Sequence, residues 1–265
     1  MKLKLIVLTT SMCLASLASH ATVFFHNFGT TAIGGSGNWD GYNLDSPDSI
    51  SQSTSQVYKG TTSIKSQVVY QGTGYTGRYH AMVSLDNVYH PGDTGFYGFA
   101  FYLMSAWQFQ NQQYQLFQFI ADFSNLGCSE TFMPSSMVWV YGNTLNTRRK
   151  YGAACPVSSQ HITQYNNVAT VSAGVWHTIE IQANWQSDNT GYYKLWFDGT
   201  KVVEEYNCQT TVADPNNRYF RMDTGIYANS WHDDGHMTGT QGTRYAYFDE
   251  IGWGSTFADA NPAAW

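Results

Sequence analysis

Charged side chains are scarce in this chain. Asp, Glu, Lys and Arg make up 12% of its 265 residues, and the 13 basic ones are outnumbered by 19 acidic ones, for a net charge of −6. That balance excludes bulk nucleic-acid binding. It also repels an anionic polymer at long range, so a polyanionic ligand requires a locally basic cleft. The glutamates are Glu130, Glu180, Glu204, Glu205 and Glu250, and no Asp or Glu stands two residues from another. A glycosidase needs two carboxyl groups flanking the bond, so the lack of a paired-carboxylate strand face argues against a hydrolase, although carboxylates on separate strands escape that count. There is no Asn-x-Ser/Thr sequon, no internal repeat, no Pro-rich linker and no sustained helical periodicity.

Long apolar runs are also missing. The one at residues 5–17 is too short to span a bilayer, follows Lys2 and Lys4, and ends before Ser19-His20-Ala21, whose small residues suit a signal peptidase. Residues 1–21 therefore read as a secretory signal peptide and 22–265 as a single domain, secreted and extracellular, with no membrane segment. Of four cysteines, Cys13 leaves with the leader. Cys128 and Cys155 lie in the loop-like sequences NLGCSE and GAACPV and are expected to pair, with Cys208 as a free thiol.

Aromatic residues are plentiful, at 16% with nineteen tyrosines and nine tryptophans. At least half belong to a β-sheet core; the rest suit a carbohydrate-active protein, whose aromatic faces stack on sugar rings. Runs of β-formers bounded by Gly, Pro, Asn or Asp occur at 62–70, 79–85, 96–103, 114–123, 137–141, 176–185, 192–197, 201–206, 220–231 and 245–253. Asp198-Gly199 is the clearest hairpin turn. So many strands in one linker-free domain imply an all-β, concanavalin-like jelly-roll sandwich of two antiparallel sheets with a concave substrate cleft.

Strand alternation sorts the side chains into faces. Arg78 and His80 point away from a core face carrying Tyr79, Ala81 and Val83. Gln118 opposes a set containing Gln115, Phe117 and Phe119. Gly225, Tyr227 and Asn229 share one face. His80, Gln118 and Tyr227, with Arg78, are the parts needed to eliminate a 4-O-linked sugar from a uronic acid. An amide or guanidinium neutralises the carboxylate as the enediolate develops, and His and Tyr supply base and acid. In D-glucuronate the C5 hydrogen and the C4 oxygen lie on one side of the ring, so base and acid must approach from one face.

The sequence resembles the glucuronan lyases of polysaccharide lyase family 20 through TGRYH (76–80), WQFQNQ (107–112), QFIA (118–121), MPSSMVW (133–139), GVWHTIEIQANW (174–185), SDNTGYYKLWFDG (187–199) and YANSWHDDGHMTGTQGTR (227–244). The resemblance implies a β-jelly roll that cleaves β-1,4-linked polyglucuronate by β-elimination, a bound structural calcium, and catalytic roles for His80, Gln118 and Tyr227. Tyr227 is expected as the proton shuttle, His80 as base or as the group that keeps Tyr227 ionisable, and Gln118 as neutraliser. A tyrosine acting as base requires a depressed pKa or an alkaline optimum. Arg78, Asn229, Trp231 and His232 are expected to bind substrate.

By analogy with such sandwiches, Asp249, with backbone from the N-terminal segment, is the candidate calcium ligand. His232-Asp233-Asp234-Gly235-His236 offers a metal clamp or, more simply, a substrate-side loop. Arg148-Arg149-Lys150, the one dense basic run, either draws a polyanion to the cleft or is a solvated loop. No organic cofactor is expected, and the partner is an anionic polysaccharide met by a monomer. A lectin-like uronan-binding module, or a lyase for alginate or another uronan, stands as the alternative.

Overall fold

The computed structural model describes residues 23–26 and 39–264 apart from residue 129; the expected leader at 1–21 lies outside this range. In chain order the strands are β1 (Val23–His26), β2 (Gly41–Leu44), β3 (Ser49–Ser53), β4 (Ser63–Val69), β5 (His80–Tyr89), β6 (Thr94–Leu103), β7 (Gln113–Asp122) and β8 (Phe132–Tyr141). They continue with β9 (Thr144–Ala153), β10 (Gln160–Thr170), β11 (Trp176–Asn184), β12 (Gly191–Phe197), β13 (Thr200–Cys208), β14 (Val212–Ala213), β15 (Phe220–Tyr227) and β16 (Thr243–Gly254). Two short α-helices, α1 (Asn229–Asp233) and α2 (Phe257–Ala260), and two 3-10 turns, Ser124–Leu126 and Val157–Ser159, complete the described elements.

One sheet runs β13-β12-β11-β6-β16-β4-β3 with β1 beside β16, and the other runs β10-β9-β8-β7-β15-β5-β2 with β14 beside β9. Neighbours are antiparallel except β14 and β9, as a jelly-roll sandwich requires. Aromatic rings join the layers: Phe99 of β6 stacks on Phe117 of β7 at 5.2 Å between centroids, and Trp185 on Tyr89 at 4.1 Å. Buried polar tips are paired, as they must be in a dry core. Trp185 Nε1 donates to the Tyr97 hydroxyl at 2.9 Å, and the Tyr193 hydroxyl meets Thr147 Oγ1 at 2.8 Å.

The expected disulfide is present, Cys128 to Cys155 with Cα atoms 5.8 Å apart, and Cys208 is free and buried. Strands β9 and β10 were not expected, because both are too polar along their length to show apolar alternation. The basic run at 148–150 is therefore strand rather than loop. The run at 220–231 is not one strand either: β15 stops at Tyr227 and α1 turns the chain inward.

Two irregularities set the face of the second sheet. Between Gln115 and Phe117 the β7–β8 register shifts by one residue. This bulge reverses the alternation, so Gln115 joins Gln118 on the outward face, contrary to the expectation that it sits with Phe117. On β15 a second shift lies between Thr224 and Tyr227. There Gly225 has φ 149°, and a Cβ would lie 2.2 Å from the Ala81 carbonyl oxygen and 2.6 Å from Met82 Cα. Gly225→Ala is expected to force β15 off β5, lowering stability by about 2 kcal/mol or more and reducing activity in parallel. Thermal unfolding checks this; an unchanged melting temperature would contradict it.

Candidate active site

Strand pairing builds two parallel rows across the outward face of the second sheet. Asn146, Trp139, Gln115, Tyr227 and His80 are successive cross-strand partners in one, and Arg148, Met137, Gln118, Asp223 and Ser84 in the other. His80, Gln118 and Tyr227, far apart in the chain, are thus brought onto adjacent strands β5, β15 and β7.

His80 and Tyr227 are direct partners, with ring centroids 4.1 Å apart. The His80 ring is held from behind by Asp45, whose Oδ2 lies 3.0 Å from Nδ1 and also accepts the backbone N–H groups of His80 (3.0 Å) and Arg78 (3.1 Å). A carboxylate accepts only, so Nδ1 carries the proton and Nε2 is left as the ring's acceptor. Burial lowers the His80 pKa, outweighing the opposing pull of Asp45, so the imidazole is neutral at neutral pH. Burial raises the pKa of Tyr227, with the Asp233 charge adding to it and the Arg78 guanidinium, hydrogen-bonded to the phenol, opposing it. Tyr227 is therefore a neutral donor in the free protein, and the depressed pKa that a tyrosine base needs is absent.

Gln118 is 2% exposed and both ends of its amide are engaged. Its Oε1 accepts from Gln115 Nε2 at 2.6 Å and its Nε2 donates to Asp223 Oδ2 at 2.8 Å, which leaves one N–H over. Asp223, fully buried, takes a further bond from Ser84 Oγ at 2.7 Å and lies 3.0 Å from the Arg221 guanidinium. Together these bonds fix which way the amide faces. Arg78 is exposed beside Tyr227.

The other expected contacts divide. Asn229 and His232 are partly exposed at the edge of the site; Asn229 Nδ2 donates to Asp233 at 3.2 Å and His232 Nδ1 lies 2.9 Å from Asp233 Oδ1. Trp231 is 1% exposed, so the expectation that it binds substrate is corrected. Its indole donates to the Tyr114 hydroxyl at 3.1 Å and packs edge-on against Tyr79 at 5.3 Å, because α1 directs it into the core beneath the site. The 232–236 loop is pinned by buried Gln112, whose amide donates to Asp234 at 3.1 Å and to the His236 carbonyl at 2.9 Å. Among the described residues, no three His, Cys, Asp or Glu side chains are grouped to hold a metal, in this loop or elsewhere.

Sequence reasoning missed Asp45, Asp223 and Gln115. Asp223 was within reach, two residues before Gly225 on the face that carries Tyr227. Gln115 was hidden by the bulge, and nothing local marks Asp45, which meets His80 by pairing of β2 with β5.

Asp249, the expected calcium ligand, lies buried on β16. Its Oδ2 accepts the N–H groups of Tyr58 (2.9 Å) and Lys59 (3.3 Å) and its Oδ1 that of Glu250 (2.9 Å), so these lone pairs already anchor the 58–59 segment to β16. The backbone of 27–38, which would complete such a site, lies outside the described residues. The buried acid without hydrogen-bond partners among the described residues is Glu180, 1% exposed. Burial, then the Asp198 charge, pushes its pKa up to about 8 from 4.5. The fold thus holds a proton that the unfolded chain releases near pH 4.5, so this contribution to stability is full below that pH and lost as pH rises through about 8. Glu180→Gln is expected to raise the melting temperature at pH 9 and flatten its decline between pH 5 and 9, measured with a chelator present; a lower melting temperature at pH 9 would refute this.

The family profile described as polysaccharide lyase matches residues 31–252. The chain belongs to the polysaccharide lyase family. Among solved structures it is similar to the endo-β-1,4-glucuronan lyase from the fungus Trichoderma reesei, at 46% identity and a TM-score of 0.85, over 91% of this chain and 99% of that one. The cellulose-induced protein Cip1 (14% identity, TM-score 0.47, 81% and 91% covered) and the alginate lyase Aly36B (13%, 0.46, 76% and 83%) are much more distant. Comparison with curated protein sequences returns no match. This polysaccharide lyase therefore carries its polar centre on the outward face of one sheet of a jelly roll.

Proposed function

We propose that this lyase cleaves β-1,4-linked polyglucuronate by syn β-elimination, leaving a 4,5-unsaturated uronate end. The observation that carries this reading is the pairing of His80 and Tyr227 on one face, the arrangement that a syn elimination from D-glucuronate demands. The substrate follows from the similarity to the Trichoderma glucuronan lyase. His80 Nε2 takes the C5 proton as general base, and the Tyr227 hydroxyl gives its proton to the departing O4 as general acid. The remaining N–H of Gln118, oriented by Asp223 and Gln115, binds the carboxylate as enediolate charge develops. Arg78 holds the Tyr227 hydroxyl and adds positive charge at the rim, and Asn229 and His232 contact the sugar beside it.

Protein incubated with glucuronan, alginate and a neutral glucan decides the matter when ultraviolet absorbance of unsaturated uronate is followed with reducing ends. Both signals on glucuronan are expected. Both on alginate alone would move the assignment to another uronan, reducing ends without absorbance would mean hydrolysis, and binding with neither signal would mean a lectin-like module. On the leader-like residues 1–21 we also propose secretion, as a monomer without organic cofactor. A structural calcium held by Asp249 with N-terminal backbone is likewise proposed; a melting temperature raised by added calcium in the wild type but not in Asp249→Asn is its test.

A further inference from the structure

The three cations of the basic run have separate fates in β9. Arg149 faces between the sheets, its Nε 3.0 Å from the Tyr165 hydroxyl and its terminal nitrogens 2.6 Å from Glu205 Oε1 and 2.6 Å from the Gln209 carbonyl. Lys150 turns to the outward face but is committed, at 2.5 Å, to Glu130 and, at 3.1 Å, to Gln160. Arg148 also turns outward and is only partly exposed, yet its buried Nε has no hydrogen-bond partner among the described residues, nor does its guanidinium pair with a carboxylate there. A guanidinium N–H that has given up water without a protein partner is costly to keep, unless its partner is a ligand.

Its position says which ligand. Arg148 pairs with Met137, and Met137 with Gln118. Arg148 therefore stands in the same row as the carboxylate-binding amide, two strand spacings or roughly 10 Å away, a separation comparable to a short run of β-1,4-linked hexoses. Between them the pairing places Met137 in one row and Trp139 with Gln115 in the other, and the carboxylate whose charge reaches Arg148, that of Glu130, is already committed to Lys150. The protein as a whole is anionic, so an unpaired cation on this face is where a polyanion gains contact. We propose that Arg148 is a uronate subsite, binding the carboxylate of a second sugar along the chain from the one that loses its C5 proton. This rests on the glucuronan reading above and adds a residue that holds the polymer across β7, β8 and β9 without touching the reacting atoms.

The test compares wild type, Arg148→Gln and Arg148→Lys on glucuronan and on purified glucuronate oligomers of increasing length. With Arg148→Gln, KM for long chains is expected to rise about tenfold or more, the loss of one charge-assisted carboxylate contact, while kcat stays near wild type, the signature of lost uniform binding. Oligomers too short to reach from Gln118 to Arg148 are expected to show no change. Arg148→Lys keeps the charge but not the fork and is expected to fall between; it also carries the test should the glutamine variant fail to fold. Unchanged KM at every length in a folded variant, or an equal loss on short and long oligomers, would overturn the subsite alone. Inactivity of the wild type on glucuronan would overturn the substrate assignment and the subsite with it.

Discussion

Tyr227→Phe is expected to reduce turnover of glucuronan by about 10²- to 10⁴-fold, the usual worth of a positioned proton donor, with binding of the polymer intact. The substitution removes one oxygen from a ring that is 8% exposed and packed against His80, so the fold has little to lose. The effect should lie in kcat, because the phenol's proton is needed only as the C4–O bond breaks. Affinity of the variant for oligomers, by calorimetry, separates this from a binding defect. Retained turnover would remove Tyr227 from the mechanism; loss of both turnover and binding would make it a substrate contact.

His80→Gln is expected to cost a similar factor, about 10² to 10⁴, and to change the pH profile as well. Burial holds the His80 pKa below its ordinary 6.5, so the acid limb of kcat/KM in the wild type should lie below that pH and vanish in the variant. Tyr227, raised above 10.0, stays protonated through neutrality. The wild-type profile should therefore be flat from near neutrality to mildly alkaline pH. A rate that instead climbs steadily toward pH 10 would identify the Tyr227 phenolate as the base and reverse the two roles. Asp45, 3.0 Å from Nδ1, fixes the proton there and leaves Nε2 to act as the base.

Much of the site was legible from period-two alternation, because His80, Gln118 and Tyr227 lie on strands whose opposite faces are strongly apolar. Where that contrast failed, so did the reading. Trp231 follows the end of β15, where a five-residue helix replaces the strand period and points the indole into the core. Strands β9 and β10 have polar residues on both faces, so nothing local distinguishes them from loop.

The chain's own sequence determined the all-β sandwich, the Cys128–Cys155 bridge and the three residues at the centre, since each depends on local composition, strand period or motif. Tertiary structure alone decided what surrounds them. Asp45 behind the His80 ring and Asp223 behind the Gln118 amide are set by which strands lie side by side, a relation between distant segments. The bulge that turns Gln115 outward depends on a one-residue difference in register, and the parting of Arg149 from Arg148 and Lys150 depends on β9 being a strand, which nothing local marks. A single step of register moves a side chain to the opposite face of its sheet.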